Sequence, residues 1–152
     1  MFRSICFSIL FLILVTGCSS TPMVEQKPIV HEITSEQLFQ EALALHEQKE
    51  YPLAVSKYGE VLQKDSSFVR ARIYQAGCQF ELGKFEEAQV NVAQVMEDTQ
   101  FSNLSTADRA DTLRLQGQLL IQQAQKAKEK DKQALLRQAE THFDQASVLE
   151  ER

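Results

Sequence analysis

The chain has 152 residues, which is enough for one ordinary domain or a short array of repeats and excludes a large multidomain enzyme. Hydrophobic residues make up 43% and charged residues 24%, so most of the chain is expected to fold, and five Gly, three Pro and no Trp argue against a β-sandwich rich in tight turns. The formal net charge of -5 repels phosphate backbones and therefore argues against nucleic acid as a partner.

The N-terminal segment has the pattern of an export signal. Arg3 is the only charged residue before Glu25, and it precedes an almost wholly apolar run from Ile5 to Val15. This run is too short to span a bilayer, which takes roughly 20 residues, but it suits the apolar part of a secretory signal.

The residues that follow, Val15-Thr16-Gly17-Cys18, resemble the bacterial lipobox, in which an aliphatic residue and two small residues precede a Cys. The resemblance implies that residues 1–17 are a signal peptide removed by cleavage, and that Cys18 carries a diacylglycerol and an acylated N-terminus. Such acylation anchors a protein stably in a membrane. Because Ser19 is not Asp, similarity to enterobacterial sorting implies the outer membrane, with the protein facing the periplasm. The alternative is an ordinary signal peptide with a chance Cys at the cleavage site.

The cysteine count fits this interpretation. Cys6 leaves with the signal peptide, Cys18 is a thioether, and Cys78 then has no partner for an internal disulfide. Cys78 lies in an apolar helical stretch, which predicts a buried, inert thiol, with a redox role as the alternative.

Residues 18–33 are predicted to be a lipidated flexible tether. The segment contains Pro22 and Pro28 and small polar residues, and it lacks helical periodicity. The fifteen residues of coil from Ser19 to Ile33 reach roughly 20–25 Å, which would hold a folded domain just clear of the lipid headgroups.

From Thr34 onward, apolar residues recur at intervals of three and four, which predicts helices. Thr34 with Gln37 forms a capping-box pattern at the start of the first helix. Pro52 suits the first turn of the second helix, Ser66-Ser67 could begin the third, and Gly83 could end it in a left-handed turn.

This helical region repeats itself with a period of 34 residues. The repeat resembles the tetratricopeptide family of helix-turn-helix units, and a third register begins at Ala110. The resemblance implies that residues 34–152 form an all-α, short solenoid of about three helical hairpins, and the alternative is a generic helical hairpin bundle. Leu38 and Arg72 depart from the family, which has Trp at that position. The matching positions are Ala42, Tyr51, Ala54, Tyr58 and Val61 in the first unit and Ala76, Phe85, Ala88, Val92 and Val95 in the second.

The third hairpin is predicted to be longer than the first two. Its second-helix pattern is displaced along the chain and reappears only at Leu136, Ala139, Phe143 and Ala146. We therefore expect a helix from about Ser105 to Lys128, capped by Ser105 or Thr106, then a turn at residues 129–131 and a last helix that ends near Glu150.

No motif for catalysis, a cofactor or a metal is evident. His31, His46 and His142 lack the spacing of metal ligands, and no Gly-rich phosphate loop or Gly-x-Ser-x-Gly elbow occurs. Carboxylates alternate with Lys and Arg at helical spacing, as on solvated faces. The sequence predicts a protein that is not an enzyme and has no cofactor or metal.

The resemblance implies a groove lined by the first helix of each hairpin. The apolar members of this set suit an amphipathic helix or an extended peptide from another protein, and the alternative is that they pack against the next hairpin or the leader segment. The family's ligand-facing positions fall on Glu36, Phe39, Leu43, His46 and Glu47 in the first unit, on Arg70, Ile73, Gly77, Phe80 and Glu81 in the second, and on Leu104, Ala107, Asp111, Arg114 and Leu115 in the third.

These features together predict a membrane-anchored periplasmic scaffold for protein–protein interaction. Among lipoproteins with this repeat, the chain resembles the pilotin class, which escorts secretin subunits to the outer membrane for pilus or secretion machines. Two alternatives stay open: an adaptor for peptidoglycan enzymes, and a structural spacer that self-associates through its end hairpins.

Overall fold

A computed structural model describes residues 33–151 of the chain. The predicted signal peptide of residues 1–17, Cys18, and the tether of residues 18–33 apart from Ile33 lie outside the described residues. Within them the fold is all-α, without strands, and six helices pack in adjacent pairs, which confirms the predicted hairpins. The helices are α1 (Ser35–Glu47), α2 (Tyr51–Lys64), α3 (Val69–Glu81), α4 (Phe85–Glu97), α5 (Thr106–Lys126) and α6 (Glu129–Glu150), with a 3-10 turn at Phe101–Asn103 before α5.

Several predicted helix ends are confirmed. Thr34 forms the capping box: its Oγ1 accepts a hydrogen bond from the amide of Gln37, and the Gln37 side chain accepts one from the amide of Thr34. Pro52 lies in the first turn of α2. Gly83 follows α3 with a φ of 73°, a left-handed conformation that glycine adopts without steric cost.

The start of α3 differs from the prediction. Ser66 and Ser67 do not begin the helix, which starts at Val69. The Asp65 carboxylate accepts hydrogen bonds from both the amide and the hydroxyl of Ser67, at 2.9 and 2.6 Å. This local bonding holds the serines in a turn and delays the helix.

The repeated small residues lie at the helix contacts. Ala42, Ala76 and Ala110 are fully buried, and so are Ala54 and Ala88. A methyl side chain lets the neighbouring helix approach closely, so these positions of the 34-residue repeat lie where the helices meet.

A polar seam joins the first two hairpins. The amide of Gln75 donates to the Val55 carbonyl at 3.0 Å, linking α3 to α2. Asn91 of α4 donates to both Gln75 and Gln79, at 3.2 and 2.8 Å. Because these part-buried amides need specific partners, the seam fixes how the two hairpins stack.

The third hairpin is longer, as predicted, with helices of 21 and 22 residues against 13 or 14 in the first two. Ser105 caps α5, its hydroxyl accepting a hydrogen bond from the amide of Asp108. The predicted turn at residues 129–131 is wrong, because Glu129 and Asp131 form the first turn of α6 and the link is Ala127-Lys128. Carboxylates are favoured at a helix N-terminus, which explains the earlier start.

Gly117 sets the distance between α5 and α6. A Cβ built on Gly117 would lie only 2.8 Å from Cζ of Phe143. The absence of a side chain therefore lets the Phe143 ring lie directly against the backbone of α5.

Candidate functional site

The helices α1, α3 and α5 share one side of the array, which we call the inner face. A cavity of about 240 Å³ opens on its C-terminal half, and we call it the inner furrow. Its lining residues are His46 of α1, Ile73, Tyr74, Gly77, Phe80 and Glu81 of α3, and Asp111, Arg114, Leu115 and Gln118 of α5.

Three of the six residues predicted to bind a peptide lie on this furrow: His46, Ile73 and Phe80. Tyr74 and Gln118 were missed by the sequence analysis. Both follow the helical stride of predicted residues, since Tyr74 is one turn before Gly77 and Gln118 is one turn after Arg114, so extending the pattern by one turn would have found them.

Gly77 leaves the floor of the furrow open. A Cβ built on Gly77 meets no atom within 4 Å, so a side chain at this position would enter empty space. Around this opening, Ile73 and Leu115 supply buried aliphatic surface and Phe80 a half-buried ring. The Phe80 ring rests on Phe85, with ring centroids 5.3 Å apart, which fixes its position.

Phe39 does not line a groove, and this part of the prediction is wrong. Its side chain is 0% exposed. Its ring packs against Tyr58, Phe68 and Tyr74, with centroids 5.0 to 5.8 Å apart. Phe68 precedes α3, so the chain between the hairpins folds over the first helix and closes this end of the inner face.

Arg70 and Leu43 also lie away from the furrow. The Arg70 guanidinium covers the Phe39 ring at 5.0 Å from its centroid, and its Nε lies 3.7 Å from Oδ1 of Asp108. Arg70 thus joins α1, α3 and α5 at their N-terminal ends instead of facing a ligand. Leu43 is half-buried and packs against the core that surrounds Phe39.

The charges on the inner furrow are predominantly negative. Arg114 is paired with Asp111 and with Glu150 of α6, so two carboxylates compensate its positive charge. Glu81 is exposed, and no ion pair joins it to another residue within 33–151. The furrow therefore combines an apolar floor with a carboxylate that is free to pair.

Aromatic rings form one wall of the furrow. The His46 ring meets Tyr74 edge-on with centroids 6.0 Å apart, and it also contacts Tyr51 of α2. These contacts hold His46 in place between the two hairpins, so the wall is formed before any ligand arrives.

Cys78 follows Gly77 in α3 and lies in the core that contains Phe39 and Tyr58. It is fully buried, which confirms the predicted buried thiol. Burial, together with a smaller effect of the nearby Glu81 carboxylate, raises the pKa of the Cys78 thiol to about 12.

A second cavity, of about 530 Å³, lies between the end of α4 and the last two turns of α6. We call it the outer crevice. No residue pattern in the sequence predicts this crevice, because it depends on the separation of α4 and α6. Val148 on its rim is 51% exposed. The other lining residues are Met96, Phe101, Arg109, Leu113, Asp144, Gln145 and Leu149.

Among residues 33–151, no group of three or more His, Cys, Asp or Glu side chains is arranged to hold a metal ion. Within the same range no helix is both long and apolar enough to cross a membrane. Comparison of the chain with protein-family models, curated proteins and solved structures gave no match. The geometry of the inner furrow and the outer crevice therefore carries the functional argument.

Proposed function

We propose that this protein is a lipid-anchored envelope scaffold that binds a segment of another protein in the inner furrow. The observation that carries the proposal is the open space above Gly77, floored by Ile73, Phe80 and Leu115. A preformed apolar cavity edged by a few polar groups is the usual form of a binding site.

The floor supplies affinity and the edge supplies orientation. Seating an apolar side chain over Phe80 removes water from both surfaces, a gain of about 25 cal/mol per Å² of apolar area. Gln118 and Glu81 lie on the edge, where their polar atoms can bond a bound backbone or side chain and fix its register.

The lipid and tether would determine where binding occurs. With acyl chains on Cys18 and roughly 20–25 Å of coil after it, the furrow would stay close to the membrane surface. Confinement of this kind raises the effective concentration of the furrow for membrane-bound partners. A pilotin-like role fits this arrangement: the scaffold holds a segment of a secretin or a similar subunit until it assembles.

Site-specific cross-linking in cells tests the proposal. A photoreactive residue is placed at Gln118 in the furrow and, as a control, at Val90, an exposed position on α4. We expect an envelope protein to cross-link from position 118 and not from position 90. Gly77→Trp fills the furrow and should abolish the product, whereas Gly77→Ala should preserve it. A product that Gly77→Trp leaves unchanged would contradict the proposal.

The proposed anchor is tested separately by Cys18→Ser. The substitution removes the acylated thiol and should release the protein from the outer-membrane fraction in a density gradient. If the Cys18→Ser protein stays with outer membranes, the anchor is wrong even where cross-linking from position 118 succeeds.

The identity of the cross-linked protein separates two versions of the function. A secretin or another subunit of a pilus or secretion machine supports the pilotin-like role. A peptidoglycan hydrolase or synthase supports the adaptor.

The outer crevice favours a second candidate function, the self-associating spacer. Met96, Phe101 and Val148 give it an apolar lining, and Arg109 and Asp144 place opposite charges on the same surface. A surface with both charges can pair with a second copy of itself about a two-fold axis. Sedimentation of wild type and Val148→Asp tests this candidate. If wild type forms dimers and Val148→Asp is monomeric, the candidate is supported. If both proteins are monomeric, it is rejected.

A further inference from the structure

We propose that the segment held in the inner furrow presents a basic side chain, Arg or Lys, to Glu81. This inference rests on the proposed function and adds the chemistry by which the partner is recognised.

The charges on the inner furrow favour a basic ligand. The charged residues that line the furrow are Glu81, Asp111 and Arg114, and Arg114 is already paired with Asp111 and Glu150. A bound segment that covers Glu81 without pairing it would strip water from a carboxylate and weaken binding. A guanidinium or ammonium group instead gains a charge-assisted hydrogen bond at the same place.

The lining also matches the rest of a basic side chain. Ile73 and Leu115 offer aliphatic surface for the methylene stem, as long basic side chains require. Tyr74 and Phe80 offer aromatic rings, whose faces attract cations. The void above Gly77 gives the side chain room to enter.

The same features select against other occupants. An acidic segment would meet Glu81 and the pair of carboxylates that hold Arg114. A wholly apolar segment would fill the floor but leave Glu81 without a partner. Discrimination therefore comes as much from the penalty on wrong ligands as from the attraction of the right one.

Binding of defined peptide pools tests the inference on the full-length protein held in lipid nanodiscs. Three fluorescent pools of random hexapeptides carry Arg, citrulline or Glu at a fixed central position. Citrulline keeps the shape of Arg and removes its charge. We expect the Arg pool to bind about ten-fold more tightly than the citrulline pool, equivalent to about 1.4 kcal/mol, and the Glu pool more weakly than both.

Matched variants assign the effect to Glu81. Glu81→Gln should remove most of the difference in affinity between the Arg and citrulline pools, because an amide cannot form the ion pair with Arg. Glu87→Gln, at an exposed position on α4, should leave the affinities of both the Arg pool and the citrulline pool unchanged. Raising the salt concentration should weaken the Arg pool alone.

The outcomes separate this inference from the proposed function. If the Arg and citrulline pools bind equally and both are lost in Gly77→Trp, the furrow is a binding site without charge selection and only the present inference fails. If no pool binds, or if binding survives Gly77→Trp, both fail.

Discussion

The two ends of the inner face carry similar residues and differ in whether they are filled. At the N-terminal end, Phe39 is fully buried under Phe68 and Arg70. At the C-terminal end, Phe80 is half-buried beside the empty space above Gly77.

The difference lies in what reaches over each ring. Phe68 comes from the chain between the hairpins, and Arg70 has a side chain long enough to cover Phe39 and contact Asp108. Gly77 offers no side chain to cover its surroundings. A position on the inner face of a repeat is therefore accessible only where the neighbouring element leaves it uncovered, and the residue type at the position does not decide this.

The largest expected effect comes from removing the ring at the filled end. Phe39→Ala should lower the free energy of unfolding by about 3–5 kcal/mol, because it leaves a cavity that Tyr58, Phe68 and Tyr74 can only partly close. Phe80→Ala should cost clearly less, since this ring is only partly buried. Urea denaturation followed by circular dichroism measures both, and equal losses would remove the distinction between the two ends.

A glycine that is already covered sharpens the contrast with Gly77. Gly117→Val should lower the free energy of unfolding by about 1–3 kcal/mol, because its side chain overlaps the Phe143 ring. The double variant Gly117→Val with Phe143→Leu should recover part of this loss. If Gly117→Val is as stable as wild type in a urea titration, the close approach of α5 and α6 is wrong.

Substitution of Gly77, the uncovered glycine, should change the free energy of unfolding in the opposite direction. Gly77→Ala should raise the free energy of unfolding by about 0.5–1 kcal/mol, since alanine favours the helix and its methyl group meets no neighbour. Thermal unfolding measures the gain, and Gly59→Ala, whose Cβ makes only an ordinary contact, serves as a matched control. If Gly77→Ala lowers the melting temperature and Gly59→Ala does not, the space above Gly77 is filled by other parts of the protein.

The smallest effect concerns Cys78, the buried residue that follows Gly77 in α3. In a chain with Cys6→Ser and Cys18→Ser, the Cys78 thiol should not react with Ellman's reagent at pH 8 in the native state. Burial raises its pKa to about 12, so the thiol stays protonated there as well as covered. Full reaction should follow in denaturant, and prompt reaction of the native protein would place Cys78 on the surface.

Much of the fold was predictable from the sequence. The 34-residue spacing located the buried alanines, and the Thr34 and Ser105 patterns located helix starts, because capping and close helix contacts depend on residues near one another in the chain. The turn between α5 and α6 was misplaced, since Lys130 and Asp131 fit both a turn and the first turn of a helix.

The candidate site was only partly predictable. The family positions found His46, Ile73 and Phe80. Helical stride places Ile73 and Phe80 on one face of α3, and the stacking of the hairpins brings His46 of α1 beside them. They also included Phe39, which is buried. The repeat pattern does not show this burial, because it depends on how the chain between two hairpins folds back and places Phe68 over the ring. The outer crevice likewise depends on a distance between helices, which only the assembled structure defines.

The accessibility of position 77 tests the central claim most directly. In a full-length chain with Cys6→Ser, Cys18→Ser and Cys78→Ser, Gly77→Cys is compared with Val90→Cys for its rate of reaction with Ellman's reagent. An open furrow predicts that Gly77→Cys reacts within about ten-fold of the exposed Val90→Cys, and that the Arg peptide pool slows Gly77→Cys alone. If Gly77→Cys stays unreactive until the protein is unfolded, the furrow is closed and the proposed docking role is contradicted.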